Sequence, residues 1–223
     1  MKKIIIIWIG LLLITWNLSI ASPKDLEIEG KNLVSKKPPF SLILLSELRS
    51  IHSFSQEHPG ENSLTRAYFF IKDKDKRVEE MLIVQIADRT NPQTEPMTVP
   101  PLRPYTEKRM YAKGKIKRGE VEIDYIIQLM AWNPDAPSLQ PIIEKGITIP
   151  HHLALQGQFL FGYQGEHAIL IRYSKDLNSF GLKVSEEGDK WNKDSISGNE
   201  KKVCEMFKKN FMEMVDSVRT KNP

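Results

Sequence analysis

Past residue 21 the chain has no second long apolar run, almost no cysteine and no excess of charge of either sign. Each shortage excludes something. The single Cys204 has no second cysteine to pair with, so an intramolecular disulfide is ruled out. An unpaired cysteine leaves a free thiol or an intermolecular link open, but Cys204 lies among apolar residues at helical spacing. It reads as a small hydrophobe in a core. Lysine and arginine total 32 against 28 aspartate and glutamate, interspersed along the chain. A nucleic-acid surface needs clustered positive charge, so that class of partner is excluded. G-x-S-x-G, H-E-x-x-H, a Gly-rich phosphate loop and Cys-x-x-Cys are all missing, which removes the commonest routes to nucleophilic, zinc and nucleotide chemistry. No cofactor is expected.

What is present starts with an address. Lys2 and Lys3 precede an unbroken apolar stretch over 4–14, and Ser19-Ile20-Ala21 has the small-x-small form of a cleavage site. Residues 1–21 read as a signal peptide. The alternative is an uncleaved N-terminal anchor: 4–21 is 18 residues, near the lower limit for crossing a bilayer, though Thr15, Asn17 and Ser19 weaken its second half. Cleavage leaves 202 of the 223 residues and lowers the net charge from +4 to +2. The protein is expected in the periplasm or secreted, with no membrane insertion after cleavage. Residues 22–37 read as a flexible polar N-terminal segment, and 38–223 as a single domain with a sizeable core.

The centre of that domain is expected at 159–173, FLFGYQGEHAILIRY. Phe159, Phe161 and Tyr163 alternate with Leu160 and Gly162, and beyond the break Gln164-Gly165-Glu166 Ile169, Ile171 and Tyr173 take one face with Ala168 and Leu170 on the other. Period-2 alternation around a Gly-bearing break predicts a β-hairpin, and apolar residues on both sides predict cover on both faces. Further strands are predicted at 40–45, with 51–55 as its hairpin partner, and at 65–71, 81–87, 109–117 and 121–132. The charged run 72–77 reads as a solvated turn. Residues 133–150 read as a connection with at most a short helix ending at Gly146. Val203, Phe207, Phe211, Met214 and Val218 form a stripe at helical spacing, and Ser197 with Glu200 fits a capping box.

Three groups of residues are candidates for function. Residues 91–105 carry Pro92, Pro96, Pro100, Pro101 and Pro104, so neither a helix nor a central strand is possible there. The run Pro100, Pro101, Leu102, Arg103, Pro104, Tyr105 favours polyproline II, whose backbone groups are free to be read by a partner. It is the candidate partner-binding segment; the plainer reading is a rigid crossover lying on the domain. Glu122 and Asp124 share one face of a strand, roughly 7 Å apart from the strand rise, a separation seen between the carboxylates of glycoside hydrolases. A solvated strand end explains the pair equally well. His151 and His152 point to opposite sides of an extended chain, and no spacing brings His167 to them, so no metal site is expected. Trp132 and Trp191 have faces suited to sugars but read as core or rim residues.

The stretch 167–176 (HAILIRYSKD), the Phe180-Gly181-Leu182 loop and residues 203–218, with Phe207, Phe211 and the closing Asp216-Ser217-Val218, resemble the C-terminal part of the PsbP-like α/β/α sandwich family. The resemblance covers the last 60 residues or so. It implies a final strand, a loop, and a helix packed on the sheet, in a non-enzymatic protein that binds or helps assemble other proteins outside the cytoplasm. The family's metal-binding positions have no counterpart here, and its pattern has no place for the Pro-rich stretch. The expected fold is α+β: a largely antiparallel β-sheet covered by a long C-terminal amphipathic helix, with an α/β/α sandwich as its most specific form. The expected function is an exported binding or assembly module of the bacterial cell envelope, with an envelope protein as partner. The alternative is an envelope polymer hydrolase using Glu122 and Asp124.

Overall fold

The hairpin expected at the centre is there. In the computed structural model, which describes residues 25–151, 153–182, 194, 196 and 198–220, strands Leu153–Tyr163 and His167–Asp176 pair Phe161 with Ile169 and Phe159 with Ile171. The leader, His152, Trp191 and Ser197 of the expected capping box lie outside the described residues. Gln164 and Gly165 close the hairpin with φ of 55° and 67°, the two left-handed residues of a type I′ turn, whose twist matches that of the strands it joins.

In chain order the strands are β1 (Leu26–Glu29), β2 (Asn32–Lys36), β3 (Pro39–Ile43), β4 (Arg49–His58), β5 (Ser63–Lys74), β6 (Arg77–Arg89), β7 (Met110–Arg118), β8 (Val121–Ala131), β9 (Leu153–Tyr163), β10 (His167–Asp176) and β11 (Arg219–Thr220). The helices are α1 (Gln140–Ile143) and α2 (Gly198–Asp216). Seven strands form one sheet in the order β4-β5-β6-β10-β9-β8-β7, so β10 is its middle strand. A second sheet has the order β1-β2-β3-β11. Every pairing within the two sheets is antiparallel.

Alternation sorts each long strand into two faces. The first face of the large sheet carries Tyr68, Phe70, Val84, Ile86, Ile123, Ile127, Phe159, Phe161, Ile169 and Ile171, all buried. Two layers cover it. Over β9 and β10 lies α2, with Phe207 stacked on Tyr173 and Phe211 against Phe159, both at 5.9 Å between ring centroids. The small sheet supplies Leu33, Leu42 and Phe40, whose ring meets Phe161 edge-on at 6.0 Å.

Two buried polar clusters fasten the N-terminal part to the large sheet. Glu80 accepts hydrogen bonds from Ser46, just past β3, and from the Tyr173 hydroxyl at 2.6 Å. Its cross-strand neighbours Lys72 and Lys175 lie 3.6 and 3.1 Å away. Arg66 donates to both oxygens of Asp88, at 2.8 and 3.0 Å, and reaches Asp25 at 3.0 Å and the Lys37 carbonyl at 2.8 Å. Buried charges of this kind persist only when matched.

The expected architecture needs correction. The large sheet is not covered by one long helix, and no α/β/α sandwich forms. Helix α2 spans about 28 Å by its rise per residue and covers only part of one face, a second sheet covers the rest, and α1 on the other face has four residues. The cause is the stretch read as a loose segment: 26–36 forms β1 and β2 around a left-handed Gly30, and Leu26 and Leu33 enter the core. Strand β3 pairs with β2 and β11, not with β4 as expected. The run 72–77 is mostly strand, since only Asp75 and Lys76 turn, with φ of 51° and 62°.

Candidate functional site

The second face of the large sheet is covered by connections, and the candidate binding segment is one of them. From β6 the chain must pass over β10, β9 and β8 to reach β7 at the far edge. Its route is pinned at both ends. Arg89 pairs with Glu166 and donates to the Thr94 carbonyl at 2.5 Å. The Met97 amide donates to the Gly165 carbonyl at 2.7 Å. A Cβ on Gly165 would lie 3.0 Å from Pro96, and one on Gly162 would lie 2.8 Å from Val99, so these glycines give the crossover its seat. At the other end the Tyr105 amide donates to Gln128 Oε1 at 2.8 Å.

Val99 and Tyr105 are six residues apart. Gly162 stands one step beyond the Phe161–Ile123 pair, so Gln128 is also about six residues along β8 from that level. At roughly 3.1 Å per residue for polyproline II and 3.4 Å for a strand, the segment runs alongside β8 at nearly full extension. Its exposure alternates: Pro100, Leu102 and Pro104 are half-buried, while Pro101, Arg103 and Tyr105 face out. Tyr105 is 78% exposed, the most among the described large hydrophobic residues.

Glu122 and Asp124 sit on β8 near the edge of the same face, as expected. Both lie against Lys115 of β7, at 2.6 and 3.4 Å, with side chains 66% and 16% exposed. The lysine between them supplies the neutralising charge, an arrangement suited to fixing the edge strand.

A polar row across the second face went unseen in the sequence. Gln128 Nε2 donates to Gln156 Oε1 at 3.1 Å, and Gln156 Nε2 donates to Ser174 Oγ at 3.3 Å, all three buried. Beside them Arg172, half-buried in the middle strand, donates to Gln85 Oε1. The signal available was period 2: Gln156, Gln158, Arg172 and Ser174 occupy alternate positions of strands otherwise apolar on both sides. Burial lowers the Arg172 pKa to about 10, which leaves it charged at neutral pH.

His151, His167, Trp132 and Cys204 sit in structural settings. His167 Nδ1 lies 2.7 Å from Asp88 Oδ1, and its ring stacks on Tyr163. His151 is exposed, 3.8 Å from Asp135. Trp132 is a core residue of the second face. Among the described residues no three His, Cys, Asp or Glu side chains are grouped to hold a metal ion. Burial, with Glu200 and Glu205 adding to it, pushes the Cys204 thiol up to about 12, the behaviour of an inert core cysteine. A cleft of about 460 Å³ beside β7 is lined by Tyr111, Tyr125, Lys113 and Lys208 among others. Its Tyr111 hydroxyl donates to Glu205, and burial together with that carboxylate raises the phenol pKa. No described helix is long and apolar enough to cross a membrane.

Comparison with models of protein families, with curated proteins and with solved structures finds no match in any of the three.

Proposed function

We propose that this protein is a non-enzymatic binding or assembly module of the cell envelope, and that the outer side of the Pro-rich crossover is its contact surface for a protein partner. The observation that carries the reading is the alternation over 100–105. A segment seated on the sheet through Pro100, Leu102 and Pro104 presents Pro101, Arg103 and Tyr105 as a ridge. Tyr and Arg are enriched at interface hot spots, and a backbone already extended and pinned loses little entropy on binding. The placement in the envelope rests on the leader-like sequence at 1–21. The hydrolase reading has less support, because Lys115 occupies the space beside Glu122 and Asp124.

The test separates ridge from seat. Arg103→Ala with Tyr105→Ala removes the two outward groups and leaves Pro100, Leu102 and Pro104 in place. Proteins cross-linked in the envelope to the wild-type chain should be lost from the double variant, with the thermal midpoint unchanged. A double variant that keeps every cross-linked partner at wild-type yield would show that the crossover only spans the sheet.

A further inference from the structure

The arginines of the large sheet are matched with acids, except at its centre. Arg49 pairs with Asp73, Arg66 with Asp88 and Asp25, Arg77 with Asp176, Arg89 with Glu166, and Arg118 with Asp216. Arg172 lies half-buried on the middle strand, and its partner is the neutral amide oxygen of Gln85. The strand registers place Ile83 and Gln158 on either side of it, with Leu170, Ser174, Gln85 and Gln156 in the adjoining rows. None of these carries a charge. On the same face, Asp124 is two strands away and held by Lys115, and Asp176 is four residues along β10 and buried beside Arg77.

Towards β4 the same row continues from Ile83 to Phe69 and His52. Phe54, Phe69 and His52 form a triangle of rings with centroids 5.8 to 6.0 Å apart. Phe54, Ile83 and Ile143 are only partly buried against this cluster, so the floor is apolar and incompletely covered. Lys145 stands at its far side, held to the Ile51 carbonyl. Burial lowers the pKa of His52 and Lys145 lowers it further, so the imidazole adds no charge at neutral pH. From Arg172 to His52 is three inter-strand steps, roughly 14 Å.

We infer that this patch binds a small organic acid with an apolar body, its carboxylate on Arg172 beside the amide of Gln85, above the buried Gln158, and its body across Ile83 and Phe54, above the buried Phe69. A guanidinium fork matches a planar carboxylate in two parallel hydrogen bonds. An apolar floor with a few converging polar groups is the common composition of a small-molecule site. The polar groups of the patch are side chains on the face of the inner strands β6 and β10, which favours a compact acid over a peptide backbone. This inference is independent of the crossover ridge.

The experiment uses 4-phenylbutyrate on the full chain, followed by amide and side-chain NMR shifts. Saturable shifts are expected at the side-chain amides of Gln85 and Gln158 and at Arg172 Nε–H. Acetate, which lacks the body, and 4-phenylbutyramide, which lacks the charge, should each bind at least tenfold more weakly. Arg172→Gln should weaken 4-phenylbutyrate by a similar factor. Ile83→Glu, which places a carboxylate beside Arg172 from within the chain, should abolish binding while keeping the guanidinium. The site is refuted if wild-type protein shows no saturable shift at Gln85 and Gln158. Equal binding of the acid and its amide, or wild-type affinity in a folded Arg172→Gln or Ile83→Glu variant, refutes it as well.

Discussion

The ring of Phe211 stands where a side chain on Gly157 would begin: a Cβ built on that glycine falls 2.4 Å from two of the ring carbons. Here α2 meets the sheet, and it does so on bare backbone. The pair predicts that Gly157→Ala destabilises the fold through overpacking, by about 1–3 kcal/mol. Phe211→Ala should cost about 3–5 kcal/mol, as should Phe207→Ala beside it. The combined Gly157→Ala, Phe211→Ala variant should lose less than the sum, because the clash disappears with the ring. Urea melts of the four variants check this. Strict additivity would mean that the helix rides elsewhere on the sheet.

Acid should loosen the attachment of the small sheet. Burial by itself would raise the carboxyls of Glu80 and Asp88. The Ser46 and Tyr173 hydroxyls and Lys175 outweigh it at Glu80, and His167 and Arg66 outweigh it at Asp88, so both pKa values lie below the ordinary carboxylate range. A depressed folded pKa gives stability that is fully present above the unfolded value, about 4, and lost as pH falls through the folded one. Unfolding free energy should therefore be flat near neutrality and decline below about pH 4.5. Glu80→Gln and Asp88→Asn should each flatten that decline while lowering stability at pH 7. An unaltered acid limb in both variants would place the pH dependence elsewhere.

What could be read in the chain was whatever a single element encodes in its own period. The hairpin of β9 and β10, the alternation Ile123, Ile127, Leu129 along β8 and the stripe of Phe207 and Phe211 are local patterns, and all three recur in the core. Strands β1 and β2 escaped because they are four and five residues long and bury only Leu26, Leu33 and Ser35 between them, too few for a period to show. The partner of β3 was misjudged because the nearest strand in sequence is not its neighbour in space. The Arg172 patch needed β6 beside β10, a pairing across nearly ninety residues of chain. Nothing in HAILIRYSKD says that its arginine will face Ile83 and Gln85.

If residues 1–21 are a cleaved leader, the mature protein begins near Ser22. Intact mass of chain recovered outside the cytoplasm should match that start. Full-length chain recovered in the membrane fraction would establish an anchor instead, and the contact ridge would then have to face a partner within reach of that membrane.

The last prediction concerns how the crossover is held. Tyr105 is exposed enough for a protease to find, yet its amide is bonded to Gln128 and the chain before it lies on Gly162. Cleavage requires a stretch of chain to lift off, so the rate after Tyr105 reports the pinning itself. Gly162→Val introduces a Cβ into contact with Val99 and must displace that side chain, while β-branching suits the strand beneath. Chymotrypsin should cut after Tyr105 several-fold faster in Gly162→Val, with a global stability change within about 1–2 kcal/mol. The same variant should weaken whatever contact Arg103 and Tyr105 make, because the ridge would lose the seat that keeps it straight. Unchanged cleavage would mean that Gln128 alone holds the segment, and that Val99 yields without moving the ridge.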